Sequence, residues 1–115
     1  MRTQRVVVES KAAASELKRH LSPFAELIRA NELVAFPTET VYGLGANAFA
    51  DEAVEKIFKA KGRPSDNPLI VHVCDVDMAA ACAQRFTATA KKLTQAFWPG
   101  PLTVLVPAKK EVSTK

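Results

Sequence analysis

Two cations flank one glycine in Lys61-Gly62-Arg63, followed at once by a stiff Pro64 and the small polar trio Ser65, Asp66 and Asn67. A lysine ammonium is a compact point charge, whereas a guanidinium is a planar fork that grips phosphate or carboxylate through paired hydrogen bonds. Glycine between them lets the backbone turn, so that both heads converge on one anion. The plainer reading is a helix C-cap with lysines that complement the dipole. That reading suits Lys59, while the Pro and small polar residues around Lys61 and Arg63 favour an anion site. A second polar phrase, Thr38-Glu39-Thr40, follows an apolar run at residues 33–36 and the proline at 37. Hydroxyls just beyond a buried strand can fix a small polar ligand, although Thr caps turns as readily. Glu39 would touch a metal or an amine, or form an ion pair, and Tyr42 is expected to pack. His72 lies in the apolar run 69–73, where alternation sets Ile70 and His72 opposite Leu69, Val71 and Val73. A lone histidine in such a run is most often structural.

The glycines between these phrases invite a misreading. Gly43-Leu44-Gly45-Ala46-Asn47-Ala48 fits the G-x-G-x-x-A dinucleotide fingerprint, and Asp66 stands about twenty residues on. The context does not fit. Residues 37–42 intervene where a tight strand-to-glycine turn is needed, and the next helix signal opens only at Asp51. Asp66 precedes an apolar run, whereas a ribose-binding acid ends one. The Rossmann reading is therefore set aside.

The elements that must position the two phrases follow from periodicity and caps. Residues 5–8 form a β-branched run that reads as a first strand. Ser10 is placed as the cap of a helix over residues 11–20, and Ser22-Pro23 reads as a fresh helix start that fades at Asn31. Residues 33–36 read as a strand stopped by Pro37. The clearest helix opens at Asp51, with Asp51 and Glu52 at its start, Lys59 and Lys61 at its end, and Val54, Ile57 and Phe58 as its buried stripe. Gly62 and Pro64 terminate it. Further strands are expected at 69–73 and 102–106, and further helices at 77–82 and 87–98, the latter with Leu93 and Phe97 inward. Strands alternating with helices give an α/β class with a partly parallel sheet.

Composition sets the frame. The chain has 115 residues, 48% hydrophobic and 24% charged, with 16 basic against 12 acidic side chains and a net charge of +4. One soluble domain fits these figures, and the charge leans toward polyanionic partners such as nucleotides or RNA. Cys74 and Cys82 form no metal-binding or redox spacing, which suggests a reducing, cytoplasmic setting. No apolar run has the length of a signal peptide or membrane span. The apolar run at 102–106 would leave an open sheet edge, so residues 1–115 read as the N-terminal part of a larger domain.

Pro37-Thr38-Glu39-Thr40-Val41-Tyr42-Gly43-Leu44-Gly45 and Lys61-Gly62-Arg63-Pro64-Ser65-Asp66-Asn67-Pro68-Leu69-Ile70 closely resemble the signature of the Sua5/YciO/YrdC family, and Trp98-Pro99-Gly100-Pro101-Leu102-Thr103 matches its next landmark. The resemblance spans about residues 33–106. It implies an α/β (α+β) fold of YrdC/RibB-like type: a twisted mixed sheet flanked by helices around a basic concave cleft. It implies threonylcarbamoyl-adenylate synthesis from L-threonine, bicarbonate and ATP with release of pyrophosphate. A partner transferase then modifies a tRNA adenosine to t6A. By match to the family, Lys61 and Arg63 would be catalytic, Thr40, His72 and Lys61 would contact threonine, and Arg63 and Asn67 would contact ATP, with Mg²⁺ accompanying the nucleotide. The family's downstream Ser-x-Asn phrase does not occur, so residues 1–115 alone are expected to be poorly active. A noncatalytic module binding double-stranded RNA or nucleotides is the alternative from another class. A carbamoyl-adenylate-forming domain like that of hydrogenase-maturation carbamoyltransferases is a further one, disfavoured because the accompanying regions of those proteins are absent.

Overall fold

Four helices and one hairpin make up the computed structural model, which describes residues 2–62, 64 and 68–115. The order is α1 (Ala14–Arg29), β1 (Val34–Phe36), β2 (Gly43–Gly45), α2 (Asp51–Lys61), α3 (Val76–Cys82) and α4 (Ala88–Phe97). The α/β class holds. Its sheet among the described residues is two antiparallel strands, with no parallel pairing.

Helix α1 replaces the two helices expected on either side of Ser22. Its N-cap is Ala13, without a side-chain cap, and Pro23 sits inside it. An interior proline forgoes one ladder bond at a cost of about 3 kcal/mol. Here the good helix formers on both sides carry the ladder through, so Ser22 caps nothing. The helix ends where Asn31 enters the left-handed region at φ 62°. The Asn31 amide donates to Ile28 O at 3.0 Å and the Glu32 amide to Leu27 O at 2.9 Å, which satisfies two of the last carbonyls.

Helix α2 forms as its charges direct, and Gly62 closes it in the left-handed conformation at φ 62°. Ala53, Val54, Ile57 and Phe58 are its buried face. Its outer face is hung on the turn after α1. The Asn31 side chain donates to Glu52 Oε1 at 2.7 Å, and Lys56 Nζ donates to Asn31 O at 2.8 Å. Asn47 Nδ2 donates to Asn31 Oδ1 at 3.3 Å, so one residue ties α1, the segment after β2 and α2 together.

Asp75 caps α3 by accepting from the Met78 amide at 2.7 Å, and Thr87 caps α4 by accepting from the Ala90 amide at 3.1 Å. Inward on α4 are Ala90 and Thr94, while Leu93 and Phe97 are exposed, contrary to expectation. The small i,i+4 pair lies against the core, and the Thr94 hydroxyl is satisfied within its own helix by donating to Lys91 O at 3.0 Å. Beyond α4, Trp98 Nε1 donates to Leu102 O at 2.9 Å and sets the direction of the following segment.

The runs at 5–8, 69–73 and 102–106 form no strand. Strand structure belongs to pairs, and among the described residues these segments have no ladder partner. The last of them keeps a period-two burial pattern, with Leu102, Val104 and Val106 half-buried and Leu105 98% exposed. Pairing occurs just after it instead, as an isolated bridge between Ala83 and Ala108. The chain then returns to α2, where Ser113 N donates to Ala48 O at 2.8 Å and Ser113 Oγ to Asp51 Oδ1 at 2.6 Å. No helix among the described residues is long and apolar enough to cross a membrane.

Candidate functional site

The Thr38-Glu39-Thr40 phrase is the loop of a β-hairpin. Strands β1 and β2 pair with Val34 opposite Gly45, Ala35 opposite Leu44 and Phe36 opposite Gly43, so residues 37–42 make the connection. Thr38 closes it: its hydroxyl donates to the Val41 carbonyl and accepts from the Thr40 amide at 3.3 Å. Turn capping thus accounts for Thr38. The Thr40 hydroxyl lies 3.4 Å from that of Thr38 on the exposed side of the loop, where a ligand can reach it. Glu39 is exposed and makes no salt bridge among the described residues. Tyr42 does not pack as expected; it is 76% exposed.

Strand β2 was not expected, since Gly-Leu-Gly has poor strand propensity. Its glycines face the Phe36 ring. A Cβ on Gly45 would lie 2.6 Å from Phe36 Cε1, and one on Gly43 would lie 3.4 Å from Cε2 and Cζ. The ring therefore turns its Cε1 edge to Gly45, into space that any side chain there would claim. This geometry is the structural reason that G-x-G here is no dinucleotide turn: the glycines are the first and last residues of a strand, with no helix start beside them.

His72 is brought to the hairpin by the same ring. Phe36 and His72 meet edge to face, with centroids 5.7 Å apart and planes at 74°. The imidazole is exposed, and its Nδ1 lies 3.2 Å from Ile70 O. Phe36 thus links His72 to the hairpin whose loop carries Thr38 and Thr40. Phe36, Gly43 and Gly45 are the members that motif reading missed. The available signal was the spacing of two, which puts both glycines on one strand face beneath the aromatic that pairs with Gly43.

Lys61 is the last residue of α2, exposed beside the left-handed Gly62. No hydrogen bond or ion pair among the described residues joins it to Thr40 or His72. Arg63 and Asn67, with Ser65 and Asp66, lie outside the described residues. No group of three or more His, Cys, Asp or Glu gathers as a metal site among the described residues.

Comparison with known proteins gives a concordant result. A family model described as telomere recombination, the Sua5/YciO/YrdC model, matches residues 26–115. The threonylcarbamoyl-AMP synthase of Bacillus subtilis is 50% identical over 109 residues, covering 95% of this chain and 32% of that protein. That of Pyrococcus abyssi is 47% identical over 107 residues, covering 93% and 31%. The crystal structure of P. abyssi Sua5 complexed with L-threonine superposes with a TM-score of 0.79 at 48% identity, covering 84% of this chain and 28% of that one. The chain spans about a third of the length of these relatives.

Proposed function

Because the chain belongs to the Sua5/YciO/YrdC family, we propose that it supplies the threonine- and ATP-facing wall of a threonylcarbamoyl-AMP synthase. The observation that carries this reading is the Phe36 contact, which sets an exposed imidazole against the hairpin whose loop bears two hydroxyls. Hydroxyl and imidazole are what an amino acid with its own hydroxyl and amine requires, and L-threonine is the ligand of the related P. abyssi protein. In the proposed reaction the threonine amine takes up bicarbonate and loses water to give a carbamate. A carbamate oxygen then attacks the α-phosphorus of ATP, forming a C–O–P linkage as the bond to pyrophosphate breaks.

In this reading Thr40 and His72 hold the amino acid, and Lys61 offsets the charge of its carbamate. Arg63 and Asn67 take the nucleotide. The two anions repel as they approach, so Lys61 and Arg63 act by neutralising charge that builds up in the transition state, where one such donor contributes a factor of ~10²–10³. Magnesium would accompany the ATP phosphates and offset their charge. The product passes to a transferase that modifies tRNA, in the reducing cytosol that the two free thiols suit.

Isothermal titration of residues 1–115 with L-threonine, with and without ATP and bicarbonate, tests the reading. A 1:1 threonine heat that Thr40→Val and His72→Ala each abolish is the expected result, with pyrophosphate release slow in this chain alone. No threonine-dependent heat, together with duplex-RNA binding that falls steeply with salt, would overturn it in favour of an RNA-binding module.

A further inference from the structure

His72 belongs to no helix or strand, yet its ring is held from two sides. On one side Nδ1 lies 3.2 Å from the carbonyl of Ile70. A backbone carbonyl only accepts, so Nδ1 carries the proton, and in the neutral ring Nε2 is left with a bare lone pair. On the other side stands the Phe36 ring, 5.7 Å away and at 74°. That ring has its own seat, because the missing side chains of Gly43 and Gly45 leave the strip of strand on which it lies. Neither glycine has a positive φ, so neither is needed for backbone reasons. What their lack of a Cβ provides is room for an aromatic ring.

We propose that Phe36, seated on the shelf made by Gly43 and Gly45, is a positioning residue that holds the His72 imidazole as its Nδ1–H tautomer, with Nε2 turned out as a hydrogen-bond acceptor for the amino-acid substrate. The inference deepens the proposed function and rests on it for the identity of the ligand. The positioning itself is a property of the free protein. An isolated neutral imidazole favours the Nε2–H tautomer, so the opposite form is diagnostic of the arrangement. With Nε2 accepting, the site selects a ligand group that carries a proton, such as a hydroxyl or an amine N–H, over a bare carboxylate oxygen.

The test is long-range ¹H–¹⁵N correlation on the ligand-free chain, under alkaline conditions where imidazole is neutral. The chain has 2 histidines, so His20 on α1 serves as internal control and His72→Gln assigns the signals. The wild type should show an unprotonated Nε2 at His72. Phe36→Leu and Gly45→Ala should both move His72 toward a tautomer mixture while leaving His20 in place. The second acts by pushing the ring, since its Cβ would meet Cε1 at 2.6 Å. Phe36→Tyr keeps the ring and should keep the signature. Loss of one edge-to-face contact should weaken L-threonine about threefold to tenfold in Phe36→Leu with ATP affinity unchanged. A protonated Nε2 at His72 in the wild type would overturn the proposal, and needs no variant to fold. So would an unmoved His72 signal in folded Phe36→Leu. If the wild type shows the signature but binds no threonine, the functional reading fails and the positioning stands.

Discussion

Replacing Asn31 tests how α2, and with it Lys61, is hung on the rest of the chain. Asn31 adopts φ 62°, a conformation that costs alanine about 1 kcal/mol but that Asn and Gly tolerate. Its side chain donates to Glu52 at 2.7 Å and accepts from Asn47 at 3.3 Å. Both bonds are partly solvated, so each contributes about 0.5 kcal/mol, the low end for an intramolecular bond. Asn31→Ala should therefore destabilise by about 2 kcal/mol, whereas Asn31→Gly removes the same side chain without the backbone strain and should recover about half. With a urea slope of about 2 kcal/mol/M, the midpoint falls by about 1 M for alanine and about 0.5 M for glycine. Equilibrium urea unfolding of the two variants beside the wild type reads both shifts. If glycine proves as damaging as alanine, the left-handed backbone is not what Asn31 provides. If neither variant moves the midpoint, the tie between α1 and α2 is illusory.

Three more outcomes follow from single contacts. Lys61→Met should weaken L-threonine about tenfold or more in a titration with bicarbonate present, as expected for losing a charged hydrogen-bond donor, and leave the melting temperature unchanged because Lys61 is exposed. Gly62→Ala meets nothing within 4 Å, so its cost is the φ penalty alone, about 1 kcal/mol in urea unfolding. Thr87→Ala removes the hydroxyl that accepts from Ala90 N and should cost about 1 kcal/mol, while Thr87→Asp should keep most of it.

Helices α2 and α4 were legible because their signals are local. Acidic residues at one end, lysines at the other and a glycine beyond fix α2 without reference to any neighbour. Thr87 does the same for the start of α4. Which face of α4 turns inward was not local. Size favours Leu93 and Phe97, yet Ala90 and Thr94 are buried, since packing selects for fit to the neighbouring elements rather than for hydrophobic bulk. At Ser22-Pro23 the cap signal was real and lost to the cooperativity of a helix already under way. The runs at 69–73 and 102–106 carry strand composition and, in the second, strand alternation. Composition cannot supply a partner, and Ile70 and Leu105 stand exposed at 62% and 98%.

The candidate site divides along the same line. Thr40, Lys61 and His72 were singled out from side-chain chemistry and a family signature, because each carries a polar group whose use can be named in isolation. What joins the hairpin to His72 carries no such group. Phe36 is apolar, and Gly43 and Gly45 contribute by having no side chain at all. Their G-x-G spacing drew attention as a phosphate motif, a role in which glycine serves by letting a ligand come close. In this hairpin the thing that comes close is a ring of the protein's own, and through it the imidazole. A glycine pair two apart in a short strand, opposite an aromatic, therefore asks first which side chain occupies the space, and only then which ligand.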